Sequence, residues 1–264
     1  MANRPPSTPA GGDLLHVTLG FQLLLLLAWE LSARSGSFPD YLVAPSVILA
    51  EVGHRFAHGE VFSHLGQSLL RVYAGFAAGS ALGVVLGLLS GVLRPVRDLL
   101  DTLQAFVHAI PKISLFPAVA VWLGFTDASR ILIIALSCFF PAYLNAMSGA
   151  LGINPKYLWL SRNNEIGRLR TFTQVIVPAS LPRTLVGLRI SLMVAFILMV
   201  ATEVVGHSDG LGSMVMLSYQ HGEYTSMYAY IAVIAAAGFL SNLVLQRMAL
   251  RLCRGQAAEL GGRA

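Results

Sequence analysis

Six stretches of the chain (14–31, 69–92, 100–123, 131–150, 185–205 and 227–245) are apolar and each close to the length that crosses a bilayer. A hydrocarbon core of about 30 Å takes roughly 20 residues of helix. Inside it every backbone polar group must find its partner within the protein, which limits the possible structures severely. The recurrence predicts an all-α integral membrane protein with about six transmembrane helices. Composition agrees: 55% of the 264 residues are hydrophobic and 12% charged, where a soluble domain carries roughly a quarter charged residues. No room remains for a separate soluble domain. The expected organisation is a disordered Pro/Gly/Ser-rich cytoplasmic tail (1–13), one transmembrane domain (14–250) and a cytoplasmic C-terminal tail (251–264). The first stretch is too long for a signal-peptide core and has no clear small-residue cleavage site, so it reads as a retained span.

The net charge of +5 would hint at nucleic acid in a soluble protein. In a membrane protein it reflects basic residues gathered in cytoplasmic loops, and no nucleic-acid partner is predicted. Six spans place both termini on one side. With that side cytoplasmic, eleven Lys and Arg lie inside: Arg4, Arg94, Arg97, Lys156, Arg162, Arg168, Arg170, Arg247, Arg251, Arg254 and Arg263. Three lie outside (Arg34, Arg55 and Arg130), which decides the orientation.

Two spans have distinct characters. Gly75, Gly79, Gly83, Gly87 and Gly91 recur every fourth residue and form a smooth stripe. Such a stripe lets another helix approach closely and gain contact that lipid cannot match. The span 100–123 instead contains Pro111 and Pro117 with Lys112 between them. Each proline removes a backbone hydrogen bond and kinks the helix. A lysine at membrane depth costs about 2.5–3.5 kcal/mol on insertion scales, so it should face a partner or a pathway. Glu203, at the end of the fifth span, is the companion candidate for that pathway, the alternatives being a pair with a basic residue or a part of the outer gate. Glu51, His54 and His58 share a helical face, but such groups are more often a polar face than metal ligands, and no metal site is predicted. Cys138 and Cys253 show no pairing pattern.

Between the fourth and fifth spans lies a charged island, 154–182, reading NPKYLWLSRNNEIGRLRTFTQVIVPASLP. Its start predicts a short helix from Pro155 to about Asn164, capped by Asn154 with proline in the first turn. Tyr157, Leu158 and Leu160 stand beside Lys156 and Arg162, giving a helix that lies on a surface and docks on something.

The segment VIVPASLPRTLVGLRISL resembles the second half of the cytoplasmic loop motif of ABC importer permeases. The motif's opening Glu-Ala-Ala falls on Trp159, Leu160 and Ser161, and its glycine on Glu165. APSVILAEV, SLLRVYAGF, GSALGVVLGLLSG, IPKISLFPAVAVWLGF, FFPAYLNAMSGAL and EVVGHSDGLG follow the order of one subgroup. It is similar to the permeases for aliphatic sulfonates, taurine and nitrate, with importers of thiamine or riboflavin precursors as relatives.

The resemblance implies the type I, MetI-like fold in a bacterial inner membrane, with a cytoplasmic coupling helix. It implies two permease copies (a homodimer), two ATP-binding subunits beneath them, and a periplasmic or lipid-anchored solute-binding protein. It implies that Lys156, Tyr157, Leu158, Leu160, Arg162 and Glu165 meet the ATP-binding subunit, with the three apolar side chains entering a groove. With Glu165 at the glycine position, the closing turn is expected two residues later, at Gly167, or by another backbone arrangement. No Gly-rich loop ending in Gly-Lys-Ser/Thr is present, so the chain is not itself an enzyme, and ATP and Mg2+ belong to the partner. A membrane-embedded enzyme would need converging polar groups, and no spacing gathers any. A secondary transporter would show an internal repeat and intramembrane acids, of which Glu203 is nearly the only candidate.

Overall fold

The computed structural model describes residues 11–36, 39, 41–206 and 209–253, and those residues form helices and connecting turns without strands. The elements are α1 (Gly11–Arg34), α2 (Pro45–Ala57), α3 (Glu60–Val92), α4 (Arg94–Ala109), α5 (Phe116–Leu123) and α6 (Asp127–Leu151). They continue as α7 (Pro155–Asn163), α8 (Arg168–Thr171), α9 (Val177–Gly206), α10 (Leu211–Gln220) and α11 (Tyr224–Leu252). Among the described residues, five helices are long and apolar enough to cross a membrane: 16–34, 60–92, 127–151, 168–206 and 224–252.

The third predicted span is not one helix. It is α4, a break at Ile110 and Pro111, a 3-10 turn over Lys112–Leu115, and then α5. Pro111 has no amide hydrogen, and its ψ of 110° is extended, so the α-helical ladder stops there. Pro117 lies in the first turn of α5, where a missing amide hydrogen costs nothing. Both prolines were expected to kink a continuous span. One ends a helix and the other starts one.

The glycine stripe of α3 lies against α6, and the two helices run in the same direction. Gly75 faces Ile131 and Ile134, and Gly91 faces Ala150. A side chain on Gly79, Gly83 or Gly87 would drive into the carbonyl oxygen of Ala135, Phe139 or Tyr143 respectively. Because α3 and α6 are parallel, α4 and α5 must carry the chain back between them. Six passages therefore remain, the third in pieces. α9 returns antiparallel to α6: Gly187 lies on the Pro141 carbonyl, and Ser191 Oγ donates to the Cys138 carbonyl at 2.8 Å. Val72, Ile134, Cys138, Leu192, Ala195, Phe196 and Met199 fill the core where these three helices meet.

Two ends follow from this topology. The island end carries α7, and the far end carries the starts of α3 and α6. At the far end Ser46 clasps α1 to α2, its amide donating to Glu30 Oε2 at 3.0 Å and its hydroxyl to Oε1 at 2.6 Å. Apart from half-buried Ser32 and Ala33, α1 is otherwise exposed along its described side chains. The predicted tails fall mostly outside the described residues. Where described, the chain is already helical at Gly11 and stays helical to Leu252.

The island is not a single segment closed by its prolines. Its first half is α7. Its second half begins a 39-residue helical run, 168–206, that passes through Pro178 and Pro182 into the membrane. A π-helical turn over Phe172–Ile176 precedes Pro178. The carbonyl that a proline ring would strike, four residues back, belongs to Gln174 in that widened turn.

Candidate functional site

Breaking the third passage at Pro111 has a consequence for chemistry. The 3-10 turn lies against α6 and α9, and the three elements wall a cavity of about 540 Å³. Pro111, Lys112, Ile113, Ser137, Phe140, Pro141, Leu144 and Asn145 line it, with Ile190, Val194, Ile197, Leu198 and Ala201 of α9. Lys112 is the one charged side chain among these lining residues. It is half-buried, and its ammonium sits 5.6 Å from the centre of the Phe140 ring. No carboxylate among the described residues lies within ion-pair distance of it. The polar neighbours are turned onto their own helix: Ser137 Oγ donates to the Ile133 carbonyl at 2.9 Å, and Asn145 Nδ2 to the Pro141 carbonyl at 2.8 Å. The groove is thus an apolar wall with one uncompensated cation. Pro117, expected beside Lys112, is not among the lining residues.

A larger apolar cavity of about 670 Å³ opens between α2, α3 and α11. It offers no charge, and the hydroxyls of Tyr73 and Ser241 bond each other there at 2.6 Å. A solute-handling site needs a few polar groups that converge on the ligand. The Lys112 groove presents one such group, an ammonium, and the larger cavity presents no charge.

Glu203 does not line this groove and takes the other course open to it, a pair with a basic residue. Its side chain is fully buried at the far end, 0% exposed. Arg71 Nη1 donates to Oε1 at 2.7 Å, Ser68 Oγ lies 2.9 and 3.0 Å from the two oxygens, and the Gly212 amide donates to Oε2 at 2.8 Å. Arg71 also reaches the Asp209 carbonyl at 2.6 Å and, through Nε, Asp127 Oδ1 at 2.7 Å. Asp127 accepts again from Arg130 Nη1 at 3.4 Å. A charge removed from water is tolerable only when paired and hydrogen-bonded, and this carboxylate is both. The cluster ties α3, α6 and α9 to the loop that enters α10. Gly210 has a φ of +122°, and a side chain there would strike the Glu203 carboxylate. That close approach explains Gly210 and Gly212 of EVVGHSDGLG, whereas a side chain on Gly206 would meet the Arg130 guanidinium. Arg71, Asp127 and Ser68 were not singled out from sequence. The available signal was one cation near the start of a span and one acid near the end of another, at matching depth.

At the island end α7 has the predicted cap, the Lys156 amide donating to Asn154 Oδ1 at 3.0 Å. Its faces differ from expectation in one residue. Tyr157, Trp159 and Leu160 are exposed, as are Lys156, Arg162 and Glu165. Leu158 turns inward and packs on the cluster of Leu88, Ala146, Ala150, Ile153 and Ile176. It anchors α7 to its own subunit, and Trp159 takes its place on the outer face. The closing turn is made at Glu165 itself, with φ +53°, and not at Gly167. The Glu165 amide bonds the Arg162 carbonyl at 3.1 Å and the Ile166 amide the Ser161 carbonyl at 3.0 Å. That pair of bonds is a Schellman stop with a glutamate in the glycine position.

In the α2 region, Glu51 accepts from Arg55 Nε at 2.7 Å and the His54 and His58 rings lie 4.1 Å apart. Among the described residues no three His, Cys, Asp or Glu come together as a metal ion would require.

Comparison with known proteins adds the following. The sequence pattern of the family described as "Binding-protein-dependent transport system inner membrane component" matches residues 79–255. A Bacillus subtilis protein named as an aliphatic sulfonates transport permease is 32% identical over 232 residues, covering 88% of this chain and 84% of that one. The taurine transport system permease protein of Escherichia coli is 28% identical over 235 residues, 87% of this chain and 86% of that one. Among solved structures, the inward-facing MetNI methionine ABC transporter superposes with a TM-score of 0.55 at 19% identity. That superposition covers 78% of this chain and 96% of that chain.

Proposed function

The chain belongs to the inner membrane components of binding-protein-dependent transport systems, and from that premise we propose that its Lys112 groove carries a small organic anion, of the sulfonate type, through the membrane. The protein is a multi-pass permease subunit of an ABC importer, and ATP hydrolysis is done by a separate partner subunit. The observation that carries the anion assignment is Lys112, a cation with no carboxylate partner among the described residues, in a mostly apolar groove. At about 4 Å a monovalent anion and an ammonium attract by roughly 4 kcal/mol at an effective dielectric constant of 20. Desolvation offsets much of that. The same charge disfavours a cationic heterocycle of the thiamine type.

The groove is open on one side, and a second copy of the chain closes it to make the pathway. Two ATP-binding subunits, which hold ATP and Mg2+, dock on the exposed face of α7 formed by Tyr157, Trp159 and Leu160. Lys156 and Arg162 stand at its rim. The excess of Lys and Arg at the island end puts that end and both termini in the cytoplasm. A binding protein delivers the solute at the far end.

The test is uptake into proteoliposomes holding the permease, its ATP-binding subunits and its binding protein, with radiolabelled taurine and short alkanesulfonates as solutes. Lys112→Met is expected to lower uptake about tenfold, which corresponds to about 1.4 kcal/mol. Assembly and the binding protein's affinity should stay unchanged. Wild-type uptake by Lys112→Met overturns the role given to the groove.

A further inference from the structure

A second cation stands at membrane depth, on the same helix that walls the Lys112 groove. Arg189 lies in α9 (Val177–Gly206), about 6 Å past the start of the predicted span 185–205 at 1.5 Å per residue. It is exposed, and its bonded partner is neutral: Nε donates to Asn242 Oδ1 of α11 at 2.9 Å. No carboxylate among the described residues is within ion-pair distance. An ionisable side chain within a span marks a site or a pathway by default.

The geometry of the contact matters. With Nε taken by Asn242, the Nη1/Nη2 edge of the guanidinium remains, a planar fork that matches two oxygens of an oxyanion. Arg189 itself lines a cavity of about 200 Å³ between α9 and α11, together with Pro182, Leu185, Val186 and Gln246. The next residue, Ile190, lines the Lys112 groove. Val186, Ile190, Met193 and Ile197 form one exposed stripe that joins the two cavities along α9. The groove takes residues 190–201 of α9 and the Arg189 cavity residues 182–189, so the Arg189 cavity adjoins the island-side end of the groove's α9 wall.

We propose that Arg189, positioned by Asn242, is an oxyanion-binding station on the island side of the Lys112 groove, and that the oxyanion is the head group of the transported solute. The proposal deepens the function given above and rests on it for the solute being an anion. Two successive weak stations let an anion be drawn inward without being held.

The experiment measures the thermal midpoint of the assembled complex in neutral detergent, titrated with methanesulfonate. The wild type should be stabilised in a saturable way. Arg189→Gln and Asn242→Asp should each weaken the apparent affinity about tenfold, with Arg189→Lys in between. Asn242→Asp is the decisive variant, because it gives Arg189 a carboxylate partner. If Arg189 only ties α9 to α11, that variant strengthens the tie and leaves the methanesulfonate response at wild type, which overturns the proposal. Absence of any wild-type response also overturns it. A shift produced by dihexanoylphosphatidylglycerol and not by methanesulfonate assigns the oxyanion to lipid and overturns the solute half. Lys112→Met is run in parallel. A normal response there with a lost response in the Arg189 variants removes the groove reading and leaves the station. The reverse pattern removes the station alone.

Discussion

Replacing Arg71 with Met isolates the Glu203 carboxylate, and the structure sets the size of the effect. Glu203 is 0% exposed and Arg71 3% exposed, so water cannot take over the lost contact without local opening. The carboxylate would keep Ser68 and the Gly212 amide, two neutral donors, and lose its counter-charge at 2.7 Å. Removing one partner of a buried pair costs about 3–5 kcal/mol. The Asp127 contact adds little, because that carboxylate is 54% exposed and an exposed pair is worth about 0–1 kcal/mol. Arg71→Met should therefore lower the stability of the purified complex by about 3–5 kcal/mol, read from thermal or denaturant unfolding in detergent. The double variant Arg71→Met, Glu203→Met should recover most of that loss, since an apolar replacement of a buried pair is often neutral. A cycle whose two single effects simply add, or an Arg71→Met loss under about 1 kcal/mol, refutes the account of the cluster as a paired buried charge.

Three further outcomes follow from the island end. Glu165→Gly removes the Cβ from a left-handed position (φ +53°) and should stabilise the complex by about 1 kcal/mol, measured by the unfolding midpoint. Trp159→Ala with Leu160→Ala should release the ATP-binding subunits in co-purification while leaving the permease's own stability intact. Leu158→Asp should do the opposite, destabilising the permease itself because Leu158 packs on its core; subunit loss from Leu158→Asp at normal stability would contradict the assigned faces.

The sequence alone determined the architecture, because its signals are local or periodic. Runs of apolar residues report bilayer thickness, and a glycine every fourth residue reports a helix surface that needs a close neighbour. Asn154 and Pro155 report a helix start within four residues of chain. These quantities need no knowledge of which elements touch. The side on which Leu158 points was beyond such reading, because a nine-residue helix with apolar residues at 157, 158, 159 and 160 has no dominant face until its own subunit covers one of them. Glu165 broke the glycine rule in place; the two amide bonds of the stop and the tertiary anchoring of α7 hold a conformation that local preference opposes. The same limit applies to Glu203. An acid at the end of an apolar span reads as a pathway group when seen alone. Only the fold brings Arg71, 132 positions away, and the glycine loop onto it and turns it into a buried clasp. Arg189 and Lys112 are the converse case. Both were visible as charges in or beside spans, but that neither has a carboxylate beside it is a property of the packed helices, where long-range proximity and not sequence spacing decides which charges are compensated.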